Sequence, residues 1–183
     1  KKEHVLSLGA KGVLNRKDFN CWGQLPTVNG PEFNDYMKES RKFGKAIWEL
    51  TDKKDVDIVF EHPGESTFPV SVFVVKRGGM VVICAGTTGF NLTMDARFLW
   101  MRQKRVQGSH FANLKQASAA NQLVINRRID PGMSEVFPWE DIPAAHDKML
   151  DNKHLPGNMA VLVTSPKPGL RTVEDVLAVN GQA

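Results

Sequence analysis

One histidine in this chain lies where a strand should meet a helix, and a basic segment runs up to it. The 25 residues from Arg97 to Asn121 read RFLWMRQKRVQGSHFANLKQASAAN, with His110 near the centre and Arg97, Arg102, Lys104 and Arg105 before it. Imidazole is the side chain that changes protonation nearest neutral pH, so an exposed histidine at such a crossing can donate or accept a hydrogen bond to a bound molecule. Arg105, Val106 and Gln107 predict a short strand. Asn113 opens a run with Leu114, Ala117, Ala120 and Val124 close to helical spacing, which makes residues 108–112 an exposed strand-to-helix crossing. Crossings of that kind carry function in α/β folds. The competing reading is a polar turn whose histidine caps the helix, and the competing reading of the basic segment is a solvated helix face.

The flanking pattern supplies the elements that must hold this crossing. Lys2–Leu8 predicts a helix ended by Gly9, and Lys11–Leu14 a short strand. Residues 15–31 are irregular, with turn-forming glycine, proline and asparagine. Phe33, Tyr36, Met37, Phe43, Ala46, Ile47 and Leu50 give helical spacing over Glu32–Leu50. The apolar run Val56–Phe60 predicts a buried strand, Thr67–Lys76 a helix, and Met80–Ala85 a second buried strand. Alternation of this kind means parallel βαβ units, so residues 1–128 read as the later part of a Rossmann domain. From Ile129 the pattern changes to a strand at Ser134–Phe137, a helix at Pro138–Leu150 and a strand at Asn158–Val163, followed by the tail Lys167–Ala183.

Ligands of open parallel sheets bind beyond the carboxyl ends of the strands. Those ends hold Glu61, His62, Pro63 and Gly64, then Cys84, Ala85, Gly86, Thr87 and Thr88, then Gly108–Phe111. Glycine at 64 and 86 lets backbone approach a cofactor, and threonine hydroxyls can bond ribose or amide groups. Taken singly, each is equally an ordinary strand-end turn.

Composition narrows the classes. With 42% hydrophobic residues over 183 positions the chain can bury a sizeable core. The net charge of +4 suggests an anionic partner, but the excess is spread along the chain and aromatics are only 8%, with no helix-turn-helix, finger or aromatic RNA-binding pattern. Nucleic acid is therefore not the expected partner. No apolar run approaches the roughly 18 residues of a membrane span and no signal-peptide pattern is present, so a soluble cytoplasmic protein is expected. Cys21 and Cys84 read as reduced thiols, Cys84 packed as a small hydrophobe. The five histidines are scattered without metal-ligand spacing, and no zinc is expected.

The segments GSHFANLKQASAANQL from Gly108, FEHPGESTFPVSVFVVKRGGMVVICAGTTGF from Phe60, SEVFPWEDIPAAH from Ser134 and FNCWGQLP from Phe19 together resemble crotonyl-CoA carboxylase/reductases of the medium-chain dehydrogenase/reductase superfamily. Plain quinone reductases of the superfamily do not share the last segment. The resemblance implies an α/β fold: the later part of a Rossmann-type parallel sheet plus the C-terminal return into a GroES-like catalytic domain. Residues 1–128 would be a partial NADP-binding domain lacking its glycine-rich start, and 129–183 the C-terminal part of the catalytic domain and tail. The chain would thus be a C-terminal fragment, inactive by itself.

The implied reaction passes a hydride from NADPH to an enoyl-CoA, most simply crotonyl-CoA, and adds carbon dioxide to give ethylmalonyl-CoA. His110 would be catalytic, hydrogen-bonding carbon dioxide directly or through water. His62, Gly64, Cys84, Gly86, Thr87 and Phe111 would line the cofactor, and Lys1, eight positions before Gly9, would reach its 2′-phosphate unless it is a frayed surface lysine. Arg97 and Phe98 would hold the CoA nucleotide, with Arg41 and Lys42 as weaker candidates. A cofactor phosphate and a CoA thioester would account for the positive charge. The family also implies a homotetramer with contacts near Lys76 and Arg77. Two alternatives stay open: a plain NADPH-dependent enoyl-CoA or quinone reductase, and a non-catalytic structural module.

Overall fold

The computed structural model describes residues 2–163. The chain divides into two compact units, Lys2–Phe111 and the part from Ala112 onward. The first unit runs α1 (Lys2–Ser7), a 3-10 turn at Arg16–Asp18, α2 (Phe33–Leu50), β1 (Val56–Glu61), α3 (Phe68–Val74), β2 (Val75–Ile83), α4 (Ala96–Trp100) and β3 (Arg105–Gly108). The three strands form one parallel sheet in the order β1-β2-β3, with α3 and α4 in the crossovers. Parallel neighbours need such crossovers, because a tight hairpin can only reverse the chain.

Its core has two clusters. Phe68, Val72, Val75 and Val81 bury between α3 and the sheet, with Phe98 packed against them. Phe19, Cys21, Phe33, Tyr36, Met37 and Val70 join the α2 face to the loop before it and to α3. Buried Phe33, Tyr36, Met37 and Ser40 fall at the i, i+3, i+4, i+7 spacing of an amphipathic helix. Each fully buried large apolar side chain contributes about 1.5–3 kcal/mol.

Several expectations are corrected here. Residues 11–14 form no strand. The helix expected over Thr67–Lys76 is Phe68–Val74, and β2 begins at Val75 rather than Met80. Val75 pairs with Val56 of β1, and that pairing takes the chain into the sheet five residues early. The bulge between Val56 and Ile58 then absorbs the residues between Val75 and Met80, with Gly78 donating its N–H to the Arg102 carbonyl at 3.0 Å. β1 is not buried, because it is the edge of the described sheet: Ile58 is 60% and Phe60 69% exposed. Cys84 is exposed rather than packed, lying one residue past the end of β2.

The second unit contains α5 (Leu114–Ile125), β4 (Met133–Pro138), a 3-10 turn at Trp139–Asp141, α6 (Ile142–Leu150) and β5 (Asn158–Leu162). The helix expected from Pro138 starts four residues later, after the 3-10 turn. β4 and β5 pair in parallel. Glu135 of β4 accepts from the Lys148 ammonium of α6 and from the Leu155 N–H at 2.6 Å, which ties strand, helix and following loop together. The Lys148 hydrogen bond holds its carboxyl below the usual range. At the start of α5, Asn113 accepts the Gln116 N–H at 2.9 Å and Gln116 accepts the Asn113 N–H at 3.1 Å. That reciprocal box caps the helix without any histidine. Among the described residues no helix is long and apolar enough to cross a membrane.

Candidate functional site

Parallel pairing sets the geometry of the site. Glu61 is in register with Ile83, and Ile83 with Gly108, so the carboxyl ends of β1, β2 and β3 form one row. The chain leaves each strand there into a loop, as ligand sites of open α/β sheets require.

The first two loops are pressed together through glycine. Gly64 is buried at φ +86°, and a Cβ on it would lie 2.8 Å from the Gly86 Cα and 2.9 Å from the Gly89 carbonyl oxygen. Only glycine takes both that backbone conformation and that approach without strain. A Cβ on Gly86 would lie 2.8 Å from the Phe90 ring. Thr88 locks the pair: its N–H and hydroxyl both donate to the Pro63 carbonyl, at 2.9 and 2.8 Å, and its hydroxyl oxygen accepts the Ser66 N–H at 3.0 Å. The loop around Trp22 is stapled to the same place. Gly23 N–H donates to the Ser66 carbonyl at 2.7 Å, the Gln24 amide to the Glu65 carboxylate, and the Leu25 N–H to the Thr93 hydroxyl at 2.8 Å.

The third loop begins as an extension of the sheet, with the Ser109 N–H donating to the Ile83 carbonyl at 2.8 Å. His110 and Phe111 follow, both exposed, with ring centroids 3.9 Å apart and planes tilted by 42°. Phe111 is 90% exposed and sits at φ +44°, an uncommon conformation for a residue with a Cβ. Left-handed backbone of this kind clusters at functional sites.

The structure brings Gly64, Cys84 and Gly86 to the strand ends, with His62 and Thr87 exposed on the same loops. The hydroxyl that ties those loops together belongs to Thr88, not Thr87. Arg97 lies on α4, where its guanidinium grips Asp95: Nε at 3.0 and 3.1 Å from the two carboxylate oxygens, and a terminal nitrogen at 2.7 Å. Asp95 is buried and also caps α4 by accepting the Arg97 N–H at 3.0 Å. The Arg97 side-chain hydrogen bond holds the Asp95 carboxyl below its ordinary range. Half of the Arg97 side chain faces solvent, so a fixed guanidinium is presented outward. Phe98 turns inward, edge-to-face with Phe73 at 5.3 Å. Lys42 is occupied by the Asp18 carbonyl at 2.8 Å, and Arg41 is exposed. Lys1 and the tail Lys167–Ala183 lie outside the described residues.

Sequence reasoning placed Glu61 and Thr88 at the strand ends without reading their partners, and it passed over Asp95. Glu61 is 2% exposed and serves the first loop, Thr88 joins the loops, and Asp95 sets Arg97. For Asp95 a signal existed, an aspartate just before the helical run Ala96–Trp100, which is N-cap chemistry. The arrangement sets two closely packed glycines, the first of them buried, at the ends of β1 and β2, with an exposed imidazole and phenyl ring on the third loop. Such a row can hold an extended ligand beside one hydrogen-bonding side chain.

The zinc-binding dehydrogenase family model matches residues 27–126. The crotonyl-CoA carboxylase/reductase of Cereibacter sphaeroides is 71% identical over 184 residues, covering 100% of this chain and 43% of that protein. A solved crotonyl-CoA carboxylase/reductase is 74% identical with a TM-score of 0.85, over 97% of this chain and 42% of its own. A solved 2-octenoyl-CoA carboxylase reductase in complex with NADP and 2-octenoyl-CoA is 34% identical with a TM-score of 0.75, over 96% of this chain and 38% of its own. The chain thus spans less than half the length of the relatives it matches. Among the described residues no group of three or more His, Cys, Asp or Glu side chains is arranged to hold a metal ion.

Proposed function

From the premise that this chain belongs to the zinc-binding dehydrogenase family, we propose that it forms part of a crotonyl-CoA carboxylase/reductase, an enzyme that reductively carboxylates an enoyl-CoA. Crotonyl-CoA and carbon dioxide are the substrates, NADPH the reductant and ethylmalonyl-CoA the product. The observation that carries this reading is the single row of strand ends, with Gly64 packed on Gly86 and His110 on the neighbouring loop.

Bound NADPH supplies a hydride to the β-carbon of the enoyl thioester. The electron pair of the double bond moves to the α-carbon as an enolate, which attacks carbon dioxide and forms the new carbon–carbon bond. No proton is taken up on that route, whereas a plain reductase must add one to the α-carbon. Gly64 and Gly86 supply the floor for the dinucleotide, flanked by His62, Cys84, Thr87 and Phe111, while Lys1 would pair with its 2′-phosphate. His110 holds carbon dioxide by one hydrogen bond over the α-carbon, and Arg97 grips the CoA nucleotide, with Phe98 behind it. We assign residues 1–128 to the NADP-binding domain and 129–183 to the C-terminal part of a GroES-like catalytic domain and tail. We place the enzyme in the cytoplasm as a homotetramer, in the ethylmalonyl-CoA pathway.

The direct test is product analysis of the full-length protein given NADPH, crotonyl-CoA and carbon-13-labelled bicarbonate. Labelled ethylmalonyl-CoA is expected; butyryl-CoA as the sole product would make the protein a plain reductase. For Arg97, a charge-assisted hydrogen bond contributes about 1.5–3 kcal/mol. Arg97→Ala should therefore raise KM for crotonyl-CoA by roughly 10–100-fold with little change in KM for NADPH. Asp95→Asn should give a smaller rise of the same kind, because it loosens the guanidinium without removing it. Equal changes in both KM values would speak against a CoA role.

A further inference from the structure

The Glu61 carboxylate is a full-length charged side chain buried at the end of an apolar strand, and no step proposed above uses it. It is 2% exposed. One oxygen accepts the Gly64 N–H at 2.9 Å and the Thr67 hydroxyl at 2.5 Å, and the other accepts the Ser71 hydroxyl. Its own carbonyl accepts the Cys84 N–H at 3.2 Å, so the residue touches both of the first two strand-end loops. Burying a carboxylate costs several kcal/mol unless it is well hydrogen-bonded, and here three neutral donors from the loop and from α3 serve its two oxygens.

We infer that Glu61 is a positioning residue that sets the height of the Gly64 loop and so the shape of the cofactor floor. The inference rests on the cofactor reading given above. Gly64 is clamped from two sides: Glu61 pulls its N–H toward the sheet, and the Gly86 and Gly89 backbones stop it from the other side. Thr67 and Ser71, one before α3 and one within it, hold the carboxylate so that the pull has a fixed origin. Without it, the Gly64 N–H and both hydroxyls lose their acceptor, and the loop is held to the second loop by the Thr88 and Gly89 bonds.

The requirement is for acceptors in place, not for charge. In Glu61→Gln the amide oxygen can still accept from Gly64 and Thr67, while the amide nitrogen donates to the Ser71 hydroxyl, which rotates to receive it. Glu61→Met keeps the length and removes every acceptor. In the full-length protein, NADPH titrations followed by cofactor fluorescence should give a Kd raised at least tenfold in Glu61→Met and within about threefold of wild type in Glu61→Gln. Hydrogen exchange of the cofactor-free protein should show faster amides at residues 62–67 in Glu61→Met and unchanged amides in β3. Equal loss in the two variants, or unchanged exchange at 62–67, overturns the inference. If Glu61→Met does not fold, Ser71→Ala combined with Thr67→Val must still quicken exchange at 62–67, and failure to do so overturns it equally. A wild-type protein that binds no NADPH in the same titration sinks the cofactor reading instead, while the exchange measurement continues to report on the loop.

Discussion

Replacing His110 by alanine in the full-length protein is expected to leave appreciable NADPH oxidation while the product shifts from ethylmalonyl-CoA toward butyryl-CoA. After hydride transfer the enolate either attacks carbon dioxide or takes a proton from water, and a group that holds carbon dioxide biases that choice. One neutral hydrogen bond contributes about 0.5–1.5 kcal/mol net, and more in a site closed to water. The ratio of the two products should therefore fall by roughly 3–10-fold or more. The exposed imidazole beside Phe111 can take this part because nothing in the first unit recruits it: among the described residues its ring has no hydrogen-bond partner, and α5 is capped by Asn113 and Gln116. Mass spectrometry of the products at fixed bicarbonate reads the ratio. A ratio equal to wild type would return His110 to the role of an ordinary loop residue.

A second large effect is expected from Gly64→Ala. Its Cβ would meet backbone on two sides, the Gly86 Cα at 2.8 Å and the Gly89 oxygen at 2.9 Å, at φ +86°. The left-handed conformation costs a residue with a Cβ about 1–2 kcal/mol, and forcing an extra methyl into packed surroundings about 1–3 kcal/mol more. Because neither neighbour is a flexible side chain, the two loops must part, and NADPH affinity should fall at least tenfold together with the loss of stability. Gly78 separates the two causes, since it sits at φ +71° with nothing within 4 Å of an added Cβ. Gly78→Ala should lower the melting temperature by the conformational cost alone and leave NADPH affinity intact. Equal behaviour of the two variants in calorimetry and titration would refute the loop-contact explanation.

Much of the framework was legible from local pattern. The α2 helix follows the spacing of Phe33, Tyr36 and Met37, and the start of α5 follows Asn113 with Gln116 three residues on. β3 begins at Arg105 as its residues suggest, and the turn into the His110 crossing falls where the strand pattern stops. These features depend on contacts within about four residues, so the order of residue types is enough to specify them.

The early start of β2 at Val75 was not legible, because Val70–Val75 suits helix and strand alike and the choice is made by pairing with Val56 of β1. Nor was the exposure of Ile58 and Phe60, which depends on which strand has a neighbour rather than on how apolar it is. In the site, the residue types at the strand ends could be read, but not their partners: Gly64 against Gly86, Thr88 on Pro63, and the buried Glu61 accepting from Thr67 and Ser71. The chain itself determined which elements form and which residues stand at their ends. Only the tertiary structure decided which of those residues meet, because partners from six to more than twenty positions apart are brought together by parallel pairing and crossover packing, whose free energy is non-local and leaves no period in the sequence.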